Sequence, residues 1–246
     1  MRLHLFEFED QAWFPQILRD YQTGFLGFMS AHAGLYRNAP RGLALAGASS
    51  IADLASGNGD AAVHATSALR AAGCKLYLCD KFPSLGLTSR HAQAEGVHYI
   101  AQSVDVVNDS LPEAEAYTMF NAFHHFTEAE KYRILGKVKA TGASLHVYEP
   151  LQRNMATFLK VLLATTLGLV LITPFIRPLR LNRIVLTYFL PVGIFVTCWD
   201  GLVSVLRAPS RQALSRLKAS AASQELTLEH QKLPSKFTSI TYFHFS

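Results

Sequence analysis

Five short apolar runs alternate with helical stretches along the first 150 residues, and each run stops at a polar side chain. Ser49 to Leu54 carries Asp53, Lys75 to Cys79 runs into Asp80, and His98 to Ser103 leads to Asp105. Glu115 to Asn121 closes on Asn121, and Ser144 to Tyr148 is followed by Glu149 and Pro150. Between them, residues 60–72 and 85–95 suit helices, and Thr127 with Glu130 forms a capping-box signal at the head of another. An earlier helix over 11–36 places Phe14, Ile17, Leu18, Tyr21, Phe25 and Phe28 near a 3.6-residue period. Strands that alternate with helices require a parallel sheet covered on both faces, and such sheets bind ligands beyond the carboxyl ends of their strands. The tail adds two strand-like runs, Glu225 to Lys232 and Phe237 to Phe245, short enough to pair as an antiparallel hairpin.

The turn after the first strand reads Asp53-Leu54-Ala55-Ser56-Gly57-Asn58-Gly59-Asp60. Its glycines permit a tight turn and let backbone N–H groups approach a ligand. Taken alone, Gly57-x-Gly59-x-x-Ala62 also fits a dinucleotide fingerprint, with Asp80 at about the 20-residue spacing of its ribose-binding acid. A nicotinamide-dependent reductase therefore stays open at this point.

The combination of that turn with the later strand ends resembles the class I S-adenosylmethionine-dependent methyltransferase family. Asp53 to Gly59 matches the family's first motif, except that Ala55 stands where the family has Gly, a place Ala can hold while its φ stays negative. Asp80 matches the ribose-binding acid and Asp105 the acid that accepts from the adenine amino group. Asn121 and Phe123-His124-His125-Phe126 resemble the motif after the fourth strand. The resemblance covers residues 45–150 closely and 221–246 loosely. It implies a Rossmann-like, doubly wound, mostly parallel α/β sheet, with the antiparallel hairpin inserting its last strand beside the fifth. It also implies S-adenosylmethionine as cofactor, S-adenosylhomocysteine as product, and Asp53, Ser56, Gly57, Gly59, Asp80, Lys81, Asp105 and Asn121 as the cofactor's contacts.

Residues 151–220 form a long connection where one helix would suffice. It holds nine Lys or Arg and one acid, Asp200, so it carries +8 while the whole chain carries +5. Val161 to Ile176 and Ile184 to Trp199 are each 16 residues without a charge, on either side of Arg177, Arg180 and Arg183. Long aliphatic runs with basic flanks suit an anionic lipid surface and argue against nucleic acid. A 16-residue helix is roughly 24 Å long, short of the ~30 Å hydrocarbon core, and Pro191 breaks the second run. An interfacial hairpin is favoured over a buried lid or a spanning pair. The domain reading is a helical lid over 1–44, a cofactor-binding core over 45–150, an apolar basic insertion over 151–220 and a closing hairpin over 221–246.

In the family the connection after the fifth strand covers the substrate, so an apolar lid implies a lipophilic small-molecule acceptor. The expected setting is a cytoplasmic, peripherally membrane-associated enzyme; the first ten residues lack a signal-peptide pattern, and Cys74, Cys79 and Cys198 form neither a disulfide framework nor a metal set. No other metal-ligand set is legible. Proton acceptors for catalysis are sought in His125, His124 and Asp200. In a strand the two histidines would point oppositely, leaving one facing the site. Asp200 has a competing structural role, as an ion-pair partner of a nearby arginine such as Arg207. A noncatalytic S-adenosylmethionine-binding or membrane-scaffold protein is the alternative from a different class.

Overall fold

The computed structural model describes residues 5–32, 34–36, 38–39, 47–84, 91, 93–235 and 238–246. Most of the helix expected over 85–95 lies outside the described residues, as does Phe237.

Seven strands form one sheet: β1 Ser50–Leu54, β2 Lys75–Cys79, β3 Val97–Tyr99, β4 Ala116–Phe120, β5 Ser144–Glu149, β6 Leu228–Pro234 and β7 Ser239–Phe245. Their order is β3-β2-β1-β4-β5-β7-β6. The first five are parallel, and β7 runs antiparallel between β5 and β6, as the hairpin reading requires. Parallel neighbours demand helical crossovers, and these put apolar residues on both faces. β4 shows the alternation: Tyr117 and Met119 join one core with Ile134, Leu135 and Val147, while Ala116 and Phe120 join the other with Ile51, Leu76 and Tyr148. The third strand is shorter than expected. After Tyr99 the edge strand leaves the sheet, and Val104 N–H and Ser103 Oγ instead donate to the carbonyls of Asp80 and Lys81.

The helices of the core are α1 Gln16–His32, α2 Asp60–Ala65, α3 Ser67–Ala71 and α4 Glu128–Thr141. Thr127 and Glu130 form the reciprocal capping box at the head of α4. The insertion folds as α5 Met155–Phe175, α6 Leu181–Phe189, α7 Val192–Arg207 and α8 Arg211–Ala222. Single π turns lie within α5 at Ala164–Gly168 and within α6 at Val185–Phe189. Pro191 marks the break between α6 and α7, which meet at 81°.

The insertion is anchored on α1. Tyr21 and Phe25 pack with Leu169 and Ile176, and the Tyr21 hydroxyl lies 2.8 Å from Thr187 Oγ1. Arg183 is buried, donating to the carbonyls of Tyr21 and Asp20, so of the three expected lipid-facing arginines it is turned inward. Arg180 sits 3.5 Å from Asp20, and Arg177 is exposed. Outward, Met155, Leu159, Leu163, Leu167, Leu171 and Phe175 are all exposed at four-residue spacing along α5.

Candidate functional site

The carboxyl ends of β1, β2, β4 and β5 converge on two adjoining polar regions. In the first, the glycine-rich turn folds back on β2. Gly57 N–H donates to Asp80 Oδ2 at 2.7 Å, and Phe82 N–H donates to Asp80 Oδ1 at 2.8 Å. The Asp80 carboxylate is thereby fixed by two backbone donors, with lone pairs left over on both oxygens. Ser56 turns its hydroxyl to the Cys79 carbonyl, 3.1 Å away. Gly59 has φ +78°, and a Cβ there would lie 2.4 Å from Leu78. Ala55 has φ +56°, contrary to the expectation of a negative value. The chain path of this turn demands the left-handed region at Ala55, Gly57 and Gly59 alike, and Ala adopts it at a cost.

Asp53, at 1 % exposure, accepts from Thr118 Oγ1 at 2.6 Å. Burial pushes its carboxyl up to about 8; the Thr118 hydrogen bond opposes the shift and the neighbouring Asp80 charge adds to it. Asn121 has φ +54°, its N–H donates to the Tyr148 carbonyl, and its buried Oδ1 has no hydrogen-bond partner. Asp105 is already engaged by protein groups: Lys81 Nζ at 2.9 Å, Val107 N–H and the Asn108 amide. Lys81 and Asp105 therefore form an ion pair at the rim, which holds the carboxyl below its ordinary value although partial burial works the other way. Over this region lies α1, whose Thr23 carbonyl accepts from the Asn58 amide at 2.9 Å. Arg19 stacks 3.9 Å from the centre of the Phe82 ring.

The second region gathers both histidines. They sit in a single 3₁₀ turn, Phe123–His125, and not in a strand, so the rings lie side by side with centroids 4.4 Å apart and do not diverge. His124 is buried; its Nδ1 is 2.8 Å from Glu149 Oε2, and its N–H donates to Glu149 Oε1. Its Nε2 has no partner. His125 Nδ1 lies 2.8 Å from both Glu7 Oε2 and Asp10 Oδ1, and its Nε2 is 3.4 Å from Glu9 Oε1. Burial alone would lower the His125 imidazole, but the surrounding carboxylates hold it well above its ordinary value. Asp200 does not pair with Arg207. It accepts from the backbone N–H groups of Phe8 and Glu9 and from the Gln22 amide, fastening the N-terminal segment to α7. Arg207 pairs instead with Asp10 at 2.7 Å and Glu7 at 3.3 Å.

Glu7, Glu9 and Asp10 are not singled out by the sequence reading, and Arg207 enters it only as a partner for Asp200. A signal was present in Phe6-Glu7-Phe8-Glu9, where apolar and acidic residues alternate. An extended segment of that pattern turns its acids to one side and its aromatics to the other, and Phe8 does pack with Trp13, Phe14 and Trp199. On the other flank of His124, a pocket of about 290 Å³ is lined by Phe123, Tyr132, Leu217 and Phe243, with Lys131 and Glu149 beside them.

Among solved structures, the mitomycin 7-O-methyltransferase MmcR superposes with a TM-score of 0.52 at 14% identity, over 91% of this chain and 52% of that one. TnmH gives 0.52 at 16% identity, over 87% and 54%. The chain has the class I methyltransferase fold. Human N-acetylserotonin methyltransferase, solved with S-adenosylmethionine, is similar at 16% identity over 91% of this chain and 51% of that one, with a TM-score of 0.48. This chain thus spans about half the length of each of these three proteins. No family model and no curated protein matches the sequence. In the methyltransferase frame, the glycine turn, Asp80 and Asn121 fall on the carboxyl side of the sheet, and the histidine cluster adjoins them at β4 and β5.

Proposed function

We propose that this chain is an S-adenosylmethionine-dependent methyltransferase whose acceptor is a lipophilic small molecule met at an anionic membrane surface. The observation that carries the reading is the Asp80 carboxylate seated on the Gly57 N–H at the carboxyl edge of a β3-β2-β1-β4-β5-β7-β6 sheet. Its remaining lone pairs suit the two hydroxyls of a ribose. Two further groups fit the amino-acid end of the cofactor. Asn121 Oδ1 is a buried acceptor without a donor, and Asp53 is a buried carboxyl to which an ammonium group would restore the charged form. When bound, S-adenosylmethionine supplies a methyl group on a sulfonium for in-line displacement. What remains for the protein is to align the acceptor, exclude water and receive its proton.

We place the His124–His125 cluster on the acceptor side of this arrangement and assign receipt of that proton to His124, whose Nε2 has no partner, since the carboxylates around His125 already hold it in its charged form. Asp200, which caps backbone N–H groups, is assigned a positioning role. The apolar pocket beside His124 and the exposed apolar stripe of α5 support a lipophilic acceptor.

The test is calorimetric titration of the purified chain with S-adenosylhomocysteine and, separately, with NADH. Wild type should bind the former and not the latter. Asp80→Ala should lose about 1.5–3 kcal/mol of binding, roughly 10- to 150-fold in Kd, because a charged acceptor for two hydroxyls is gone. Unchanged affinity in Asp80→Ala, or preference for NADH, would overturn the assignment.

A further inference from the structure

The second polar region contains more than a proton acceptor needs. Four carboxylates touch two adjacent imidazoles: Glu149 on His124, and Glu7, Glu9 and Asp10 on His125. One ligand atom each from Glu7, His124 and His125 lie within 4.8 Å of one another, and Glu7 and His124 are buried. Buried side-chain nitrogens and oxygens ordinarily have hydrogen-bond partners. Here His124 Nε2, on a side chain fully out of water, has none. Its other nitrogen is held by Glu149, which fixes the ring's orientation and, with the proton on Nδ1, leaves the Nε2 lone pair free for a ligand bond. A carboxylate behind an imidazole in this way is the arrangement that orients histidine ligands of metal ions.

We propose that Glu7, His124 and His125 bind a divalent first-row transition ion, with Glu149 orienting His124. Two imidazoles with a carboxylate and no thiolate suit Zn²⁺ and its neighbours; Mg²⁺ and Ca²⁺ prefer all-oxygen, partly hydrated shells. Ligand atoms in a tetrahedral or octahedral shell stand about 3–4.2 Å apart, so side-chain rotations close the observed spread. The neighbouring charges accommodate the ion. Arg207 retains its shorter contact with Asp10 when Glu7 turns to the metal, and Asp10 remains as a counter-charge beside His125. Glu7 Oε1 keeps the Ser204 hydroxyl as its own support. The ion would sit beside the acceptor side of the proposed methyl-transfer site, where a coordinated hydroxyl is easier to deprotonate. The binding proposal itself is independent of the methyltransferase reading, since it concerns only this cluster.

The experiment uses the full chain, stripped with a chelator and titrated with ZnCl₂ by calorimetry, with thermal unfolding measured in parallel. One equivalent should bind and raise Tm, because an ion that prefers the folded state stabilises it. Glu7→Gln and His124→Asn should each weaken binding at least tenfold and remove the Tm rise, and Glu149→Gln should weaken it about 10- to 100-fold. Circular dichroism and S-adenosylhomocysteine titration of the same variants separate loss of the ion from loss of the fold. Three results would overturn the proposal: no stoichiometric Zn²⁺ binding by wild type, binding that survives both Glu7→Gln and His124→Asn, as adventitious surface histidines would give, or equally tight binding of Mg²⁺. Because no arm measures methyl transfer, the site can fail while the cofactor assignment stands, and the reverse.

Discussion

Asp53, near the end of β1, and Ala55, in the turn that follows, stand two residues apart, and both are held in states they would not choose in isolation. Asp53 has a folded-state value of about 8 against an ordinary 3.8, because burial penalises its charge. For an acid with a raised value, the folded protein holds an extra proton between the two values. The Asp53 contribution to stability is therefore most favourable below about pH 4, falls as pH rises through the window, and levels off above pH 8. Asp53→Asn has no charge to bury and keeps an acceptor for Thr118, so its stability relative to wild type should climb by a few kcal/mol between pH 4 and 8. Urea unfolding across that range measures the difference, and a pH-independent difference would show that Asp53 ionises freely. Ala55 carries a left-handed backbone that costs an L-residue about 1–2 kcal/mol, part of which Gly returns in unfolded-chain entropy. Ala55→Gly should therefore stabilise the chain by about 1 kcal/mol, read as a shift in urea midpoint at constant slope; a destabilisation would mean that the strain lies elsewhere in the turn. The acid, the glycines and Asp80 were legible in the sequence because their spacing is local to one strand–turn–helix. The sign of φ at Ala55 was not, because it depends on how the turn is drawn back to Asp80 across the sheet.

At the scale of elements, legibility followed how local each determinant is. The head of α4 could be read from Thr127 and Glu130 alone, since a capping box is closed within four residues. The break at Pro191 could be read for the same reason. Helix α5 runs longer than its uncharged run, because Lys160 is solvent-exposed and does not interrupt it. The segment after the fourth strand, Phe123–His125, is a 3₁₀ turn, so the strand alternation that would have separated the two histidines does not apply to it. Long-range pairing hid the remaining partners: Asp200 with Phe8, Glu9 and Gln22, and Arg207 with Glu7 and Asp10, are all separated by more than 170 residues. Gly201 follows Asp200 and sets how closely the insertion helices approach. A Cβ there would lie 2.9 Å from Val161 Cγ1 and 3.3 Å from Thr165 Cγ2, so α7 meets α5 across a bare backbone. Gly201→Leu should push the two helices apart at a cost of about 1–3 kcal/mol. Limited proteolysis should then cut within residues 176–191 faster than in wild type, while the sheet's protection in hydrogen exchange is unchanged. Equal cleavage rates would mean that the crossing has room to spare.

At the scale of the molecule, the insertion presents an exposed apolar surface on α5 among the described residues. Helix α5 has 21 residues, about 31 Å at 1.5 Å per residue, so length alone would let it cross a bilayer. Its exposure pattern favours lying flat. Met155, Leu159, Leu163, Leu167, Leu171 and Phe175 form one outward stripe, while Thr165, Leu169 and Thr173 face protein. The α6–α7 corner adds Phe189 and Leu190 at the surface, and α7 returns to the polar cluster through Asp200 and Arg207. A helix with one apolar stripe and a protein-bound back suits the headgroup–acyl boundary. Of the arginines between the runs, Arg183 is spent on α1, and Arg180 faces Asp20, so the electrostatic share should be smaller than the sequence implied. Arg177→Gln alone should then weaken binding to vesicles containing anionic lipid by about 1 kcal/mol, near fivefold. Leu163→Ser, Leu167→Ser and Leu171→Ser together should weaken it far more, since each leucine gives up about 1.5–3 kcal/mol of transfer free energy if it is fully buried in lipid. The measurement is flotation with phosphatidylcholine–phosphatidylglycerol vesicles at low and high salt, followed by a carbonate wash. Wild type should float at low salt, keep a salt-insensitive remainder and be released by carbonate, whereas the triple serine variant should stay in the soluble fraction. Retention of wild type through the carbonate wash would mean that α5 spans the bilayer. Failure of wild type to float at either salt would mean that the stripe is covered by a protein partner or a second copy, and the lipophilic acceptor would lose the surface from which it was to be drawn.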